Sequence, residues 1–377
     1  MTTPKILQGR ILTASGWVNG EIEFDQRVRD IRAAGDGVPE AASGEGSSDP
    51  LILPGFIDLH VHGGAGTDIM QGGDAARTVS QAHARHGTTA MLGTTMTASE
   101  EEIANALHGL ASAVANRTTG MARLLGVHLE GPYLSIERLG AQPPMVVEAT
   151  LAQVRRLHAI APIKVLTLAP EIGGHTALIP ELNALGIRVQ LGHSAGTYED
   201  GVAALRAGAA GFTHLFNGMT GVNHRQPGIA TAALAHAEYA ELIPDLQHVH
   251  PGAIRAALRA IPRLYCITDA TAATDMPDGQ YTLGSQQVHK CLGCVRLADG
   301  SSLAGSALTM DQALRNLVSL GLDLADASNR LSRYPADYLG ITDRGRLQTA
   351  AWADLVVLDP QLRVQRVFIE GDEIALA

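Results

Sequence analysis

Five stretches of the chain end an apolar run in residues that bind metal ions or move protons. The first is Leu53-Pro-Gly-Phe-Ile-Asp-Leu-His-Val-His62, with His60 and His62 two apart. A period of two places Asp58, His60 and His62 on one face of a strand and Ile57, Leu59 and Val61 on the other. Two imidazoles so placed suit a pair of metal ligands, or two histidines satisfied by hydrogen bonds in a polar loop. The other four are Glu130 in Val-His-Leu-Glu-Gly-Pro, His193 in Leu-Gly-His-Ser, His214 in Thr-His-Leu-Phe-Asn and Asp269 in Ile-Thr-Asp-Ala. Ionisable groups that close apolar strands are costly to bury unless paired or metal-bound. The set holds no thiolate, so its nitrogen and oxygen donors predict Zn²⁺, with Fe²⁺ or Mn²⁺ as competitors. Glu130, His193 and His214 would leave such an ion an open position for water, whose pKa falls towards about 7 on a metal. Asp269 then stands where a general acid/base passes a proton to a leaving group. The chemistry is metal-assisted hydrolysis of an amide or ester. The competing reading is a set of hydrogen bonds across the mouth of a barrel.

The elements that must position these groups alternate. Strand candidates are Phe56–Val61, Thr88–Gly93, Leu124–Leu129, Ile163–Leu168, Ile187–Leu191, Gly211–Phe216, Tyr239–Ile243 and Leu264–Thr268. Helical periodicity separates them over Ala75–Arg85, Glu100–Asn116, Glu148–Ile160, Thr176–Leu185, Tyr198–Arg206, Gly228–Ala237 and Pro251–Arg259, and recurs at Ala307–Leu320. Eight strands with helical crossovers predict an α/β fold, a (β/α)₈ TIM-type barrel over residues 54–344, whose active site lies at the strand C-termini. No Gly-x-Gly-x-x-Gly follows a strand, which excludes the dinucleotide fingerprint. Both chain ends read as strands: Lys5–Thr13, Trp17–Val18 and Glu21–Phe24 with turns at Ser15-Gly16 and Asn19-Gly20, then Ala353–Asp359 and Val364–Glu370. Neither end has enough apolar surface to fold alone, so residues 1–53 and 345–377 are expected to form one small β-sandwich domain. The Gly-, Ser- and Pro-rich stretch 33–50 reads as an exposed loop.

Composition bounds the partners. The chain has 377 residues, 46% hydrophobic and 18% charged, with a formal net charge of −10. That balance supplies no basic field for nucleic acid. A small anion needs only one or two local cations. Three cysteines imply no disulfide framework and suit a reducing cytoplasm. No run of about 18 apolar residues predicts a membrane span, and the first residues lack the apolar core of a signal peptide.

Taken in order, Pro-Gly-Phe-Ile-Asp-Leu-His-Val-His, Gly-Val-His-Leu-Glu-Gly-Pro-Tyr, Leu-Gly-His-Ser, Thr-His-Leu-Phe-Asn-Gly-Met and Ile-Thr-Asp-Ala resemble the amidohydrolase superfamily, and within it the N-acetylglucosamine-6-phosphate deacetylase family. The resemblance spans almost the whole chain. It implies that Glu130, His193 and His214 hold the metal ion the family shares, that His60 and His62 hold a second one kept by some members, and that Asp269 is the catalytic acid/base. Asn217, the Gly218 backbone and Arg225 match a phosphate-binding segment, where an arginine suits an anionic oxygen. His248 matches a histidine that polarises the acetyl carbonyl. Leu303, Ala304 and Gly305 match a loop over the acetyl group. It also implies a homodimer in which a neighbouring subunit completes the site. Three segments depart from the family's wording. Gly140-Ala141-Gln142 stands for Gly-Ala-His, at a position that touches the sugar. Asp275 stands where relatives have Gly, and Asp245-Leu246-Gln247-His248 replaces Asp-Gly-x-His. Asn-Gly-Met-Thr-Gly also resembles the N-acetylgalactosamine-6-phosphate branch. Two rivals differ in kind: a non-catalytic sugar-phosphate sensor, and an N-acyl-amino-acid or dipeptide hydrolase.

Other candidates carry less. Cys291-Leu-Gly-Cys294 has metal-knuckle spacing but no second pair. It falls in a hairpin expected between Tyr281 and Leu303. His83 and His86, three apart on a helix, read as solvated. His128 shares a strand face with Glu130, which suits support behind the metal or a backbone-bonded core histidine. His224 faces phosphate or solvent. His250 and His289 give no signal.

Overall fold

Strands buried on both faces read as unbroken apolar runs, which is why the parallel set is legible. In the computed structural model, which describes residues 4–34 and 49–376, six of these strands form one parallel sheet in chain order. They are Phe56–Asp58, Thr88–Thr95, Arg123–Glu130, Ile163–Leu168, Arg188–Leu191 and Gly211–Phe212. Tyr239–Leu242 and Arg263–Cys266 pair in parallel with each other. The curled sheet continues through backbone hydrogen bonds at both seams: Leu215 N–H donates to Glu241 O at 2.8 Å at one, and Asp269 N–H to His60 O at 3.0 Å and His62 N–H to Ala270 O at 2.8 Å at the other. The second seam sets the first and eighth strand ends side by side. Most of the loop read over 33–50 lies outside the described residues.

Helices fill the crossovers, and side chains cap several of their N-termini. Ser99 and Thr197 each form a reciprocal capping box, with Glu102 and Asp200, and Thr150 caps Leu151–Ile160. That last cap moves the helix start from the expected residue 148 to 151. His250 caps Pro251–Ala260 by accepting from Gly252 N–H. Two further short helices, Leu324–Leu331 and Arg333–Tyr338, lie beyond the last segment the sequence pattern marks.

The chain ends meet in a seven-stranded sheet with the order Asp372–Glu373, Val364–Ile369, Leu355–Leu358, Leu51–Pro54, Lys5–Thr13, Gly16–Phe24, Val28–Ala33. Alternation divides its faces. Ile11, Ile22, Ile52, Val357 and Phe368 close a cluster of their own, while Leu12, Leu51, Leu53, Val356 and Ile369 join the large core. One reading needs correction. Asn19-Gly20 is not a turn but lies inside the strand Gly16–Phe24. A Cβ on Gly20 would stand 1.9 Å from Arg32 O, so glycine there serves close strand approach. An antiparallel trio, Gly279–Leu283, Gln286–Cys291 and Cys294–Leu297, follows the eighth strand and packs Leu283, Val288 and Val295 on Met96 and Ala304. Its tip pairs Cys291 with Cys294 across a tight turn, and no described group of metal-holding residues includes them.

Glu370 fastens the two sheets together. It accepts from Arg123 at 2.8 Å, from Arg117 Nε at 2.9 Å and from Arg344. Burial pushes its pKa up, but the three guanidiniums outweigh that and hold it near about 2. A carboxylate held below its unfolded value stabilises the fold above that value, and the contribution fades as pH falls through the folded one. Glu370→Gln should therefore cost about 3 kcal/mol at pH 7, from the linkage between the two pKa values. Denaturant unfolding at several pH values checks this: the gap to the parent must narrow between about pH 4.5 and about pH 2, and a gap constant over that range rejects the account.

Candidate metal centre

The strand ends swing their polar side chains inward by leaving extended geometry. His193, His214 and Asp269 adopt φ of 46°, 29° and 52°, a region non-glycine residues rarely enter. Asp58 lies on the face expected but turns away from the cavity. Its carboxylate accepts from Thr268 Oγ1 at 2.6 Å and ties the first strand end to the eighth.

Glu130 sits between two ligand groups. Its Oε1 lies 3.1 Å from His193 Nε2 and 3.0 Å from His214 Nε2. Its Oε2 lies 3.2 Å from His62 Nε2 and 3.5 Å from His60 Nε2, and Asp269 Oδ1 stands 3.3 Å from His62 Nε2. The result is two triads, Glu130–His193–His214 and His60–His62–Asp269, all buried.

The donor chemistry fits divalent cations. His193 Nδ1 faces the Arg138 carbonyl at 2.8 Å and must carry the proton, so its Nε2 offers a lone pair. That Nε2 lies 3.1 Å from His214 Nε2, and His60 Nε2 lies 3.1 Å from His62 Nε2. Lone pairs aimed at one another repel unless a cation or a proton lies between them. The same field moves the titrations. Burial opposes charge on His62, but Asp269 and Glu130 outweigh it and raise its pKa to about 9. His60 and His193 also rise against burial, chiefly through Glu130. Burial raises Asp269, yet His60, His62 and His214 bring it down to about 2. The centre has the charge balance of a cation site.

Above it opens a cavity of about 120 Å³ lined by His62, Glu130, His193, His214 and Asp269 at the floor and by Ala141, Gln142, Asn217, Gly218, His248, Leu303 and Gly305 around the wall. Gly305, at φ 56°, lies so close to Thr271 that a Cβ would stand 2.6 Å from its Cγ2. Two expected site residues lie elsewhere. Ala304 is fully buried in the cluster beneath the antiparallel trio. Arg225 sits with His224 in the exposed stretch 221–226 and does not line the cavity.

A family model described as the amidohydrolase family matches residues 51–374. The chain belongs to that family. An N-acetylgalactosamine-6-phosphate deacetylase of Escherichia coli O157:H7 is 39% identical over 371 residues, covering 96% of this chain and 97% of the relative. An N-acetylglucosamine-6-phosphate deacetylase of Vibrio furnissii is 39% identical over 328 residues, covering 85% and 82%. Among solved structures, a Mycobacterium smegmatis N-acetyl-D-glucosamine-6-phosphate deacetylase variant in complex with N-acetyl-D-glucosamine-6-phosphate aligns with a TM-score of 0.91 at 32% identity, over 99% of this chain and all of that one.

Several residues of this amidohydrolase escaped the sequence reading. Met96, Leu283 and Ser302 line the cavity from loops and the antiparallel trio, where no periodic pattern marks them. Asp245 Oδ2 holds His248 Nδ1 at 2.6 Å. Gln142 is buried and doubly fixed: Thr97 N–H donates to its Oε1 and its Nε2 donates to Glu130 Oε2, both at 2.7 Å. Its amide thus braces the carboxylate between the triads as well as facing the cavity. His83, expected in solvent, is not there, and His86 keeps only part of its side chain exposed. His83 is fully buried against the Gly63 carbonyl, and His86 lies between Asp275 and Asp311 at 3.5 and 3.4 Å. Spacing on a helix does not reveal what later packs over it.

Proposed function

We propose that this enzyme removes the N-acetyl group from N-acetylglucosamine 6-phosphate, releasing acetate and glucosamine 6-phosphate in amino-sugar catabolism. The observation that carries the reading is the convergence of His62, His193 and His214 with Glu130 and Asp269 on the floor of one cavity, with His60 buried directly behind His62. Glu130, His193 and His214 would hold one divalent ion and His60, His62 and Asp269 a second, with Zn²⁺ suited to the donors and Fe²⁺ or Mn²⁺ as competitors. Such an ion supplies Lewis acidity for the amide carbonyl and lowers the pKa of water. Asp269, ionised at neutral pH, takes the proton of the attacking water and returns it to the departing amine. Against burial, the Asp245 carboxylate bonded to His248 Nδ1 raises the pKa of that histidine and favours the protonated ring, whose Nε2–H donates to the carbonyl oxygen as charge develops. Leu303 and Gly305 shape the acetyl end, and Asn217, the Gly218 backbone, Ala141 and Gln142 the sugar-phosphate end.

Arg225 fits phosphate recognition through a homodimer. It is exposed and outside its own cavity, while Val222 beside it and Ile136, Met145 and Val147 are exposed apolar residues. The architecture that goes with this reading is a closed (β/α)₈ barrel over 54–344, with residues 1–53 and 345–377 as a small β-sandwich domain; the seven-stranded sheet shared by both chain ends and its separate apolar cluster support the second part. Three free cysteines suit the cytoplasm. No described helix is long and apolar enough to cross a membrane.

The galactosamine epimer is the second reading, favoured by the fuller coverage of the Escherichia coli relative. Acetate release from each 6-phosphate, by protein of measured metal content, separates the two. The glucosamine substrate should give a kcat/KM at least about tenfold higher, a difference of about 1.4 kcal/mol in transition-state binding. The reverse order assigns the epimer, and no acetate from either rejects deacetylation.

A further inference from the structure

Glu241 is a buried carboxylate to which the reaction assigns no task. It lies in Tyr239–Leu242, is fully buried, and among the described residues its one ion-pair partner is the His60 ring. A buried charge costs several kcal/mol unless hydrogen bonds satisfy it. Four donors do so here. His60 Nδ1 lies 3.0 Å from Oε2 and His214 N–H donates to the same oxygen at 3.3 Å. Gln190 Nε2 and the Tyr265 hydroxyl donate to Oε1 at 3.1 and 3.2 Å. The carboxylate is thus held from one side by a fixed polar network and presents its other oxygen to the metal centre.

His60, Glu241 and His128 come close enough to raise the question of a further ion site. The bonding argues against one. His128 Nδ1 donates to the Leu59 carbonyl at 3.2 Å, so its Nε2 is the acceptor for Thr167 Oγ1 at 2.7 Å. No lone pair remains on His128 for a metal. Its ring instead packs edge-on against that of His60, centroids 4.4 Å apart, and blocks rotation of His60.

We propose that Glu241 is a positioning residue for the His60–His62–Asp269 ion. It keeps the His60 proton on Nδ1, so that the Nε2 lone pair faces His62, Glu130 and Asp269. The bond to His214 N–H holds the neighbouring left-handed turn, a contact that needs only an acceptor oxygen and not the charge. A carboxylate behind a ligating imidazole fixes its orientation and raises its basicity. This rests on the metal-binding reading above.

The test loads metal-stripped protein with Zn²⁺ and measures the affinity of each of two equivalents by competition with a chelator. Glu241→Gln keeps the shape and an acceptor oxygen but loses the charge. It should weaken one of the two equivalents about 10–100-fold and leave the other unchanged. In a His60→Gln background the same substitution should change uptake no further, which a general packing defect would not reproduce. A ¹¹³Cd²⁺-loaded, ¹⁵N-histidine parent protein checks the tautomer without any substitution: cadmium coupling belongs on His60 Nε2 with the proton on Nδ1. Two equally tight equivalents in Glu241→Gln, parallel weakening of both with a fall in Tm, or cadmium on His60 Nδ1 would each overturn the role of Glu241. Parent protein that takes up no second equivalent would instead refute the metal reading beneath it.

Discussion

Asp269→Asn should lower kcat by about 10³-fold while the protein stays folded and keeps the ion on Glu130, His193 and His214. Asparagine reproduces the shape of the carboxylate and can still place an oxygen near His60 and His62. It cannot accept a proton. In the parent, Asp269 is held ionised by His60, His62 and His214 despite burial, with a pKa near about 2, so the base is fully available at neutral pH. Its position is over-determined: its N–H donates to His60 O and its carbonyl accepts from Ser306 N–H at 2.7 Å. These backbone bonds survive the substitution, and with them the turn at φ 52°. KM should therefore stay within a few-fold, the pattern of an interaction made only in the transition state. Steady-state kinetics on metal-quantified variant and parent decide it. Turnover within tenfold of the parent removes Asp269 from the acid/base role.

What was legible in the sequence follows from which interactions are local. Strands buried on both faces announce themselves, so the alternation of strand and helix and the polar residues closing each strand could be placed without coordinates. Glu241 could not be paired that way. An acid inside Tyr-Ala-Glu-Leu-Ile is a visible anomaly, but its partner His60 lies 181 residues away and only closure of the sheet brings them together. Gln142 poses a similar problem. Its loop is readable, whereas its clamp between Thr97 and Glu130 depends on how that loop folds over the floor.

The departures from the family's wording take on meaning in the backbone. Leu246 and Asp275, which stand where relatives have glycine, both adopt left-handed geometry, at φ 64° and 62°. Aspartate tolerates that region. Leucine does not do so freely, and here its half-buried side chain packs against the large core, which offsets part of the strain. The turn that presents Asp245 to His248 is thus kept by packing instead of by glycine. His86 shows the limit of helical spacing, because the two aspartates that claim it come from segments about 190 and 225 residues later in the chain.

Glu130→Gln should empty both triads at once and reduce kcat/KM by at least about 10³-fold, the scale of losing the ion that activates water and carbonyl together. Glu130 Oε1 belongs with His193 and His214 and Oε2 with His60 and His62, so one amide cannot serve both sides. Whichever way the new amide turns, its NH₂ points a donor at imidazole nitrogens arranged as acceptors for a cation. If the nitrogen takes the Oε2 position it also meets Gln142 Nε2, at 2.7 Å in the parent, donor against donor. The stable rotamer therefore aims the NH₂ at His193 and His214, where Zn²⁺ would otherwise sit, and leaves His60 and His62 a neutral oxygen in place of the carboxylate charge the two groups share. The fold should survive, because the imidazoles whose pKa values Glu130 raises can shed their protons once its charge is gone and so leave no unpaired buried charge. Metal analysis of the purified variant should find under one tenth of the parent's content with an unchanged circular dichroism spectrum. The contrast with Glu241→Gln carries the test. Substitution between the triads must cost both ions, and substitution beneath His60 only one. If Glu130→Gln keeps a full equivalent of tightly held Zn²⁺, the carboxylate does not join the two groups, and each triad must be assigned its own independent ligand set.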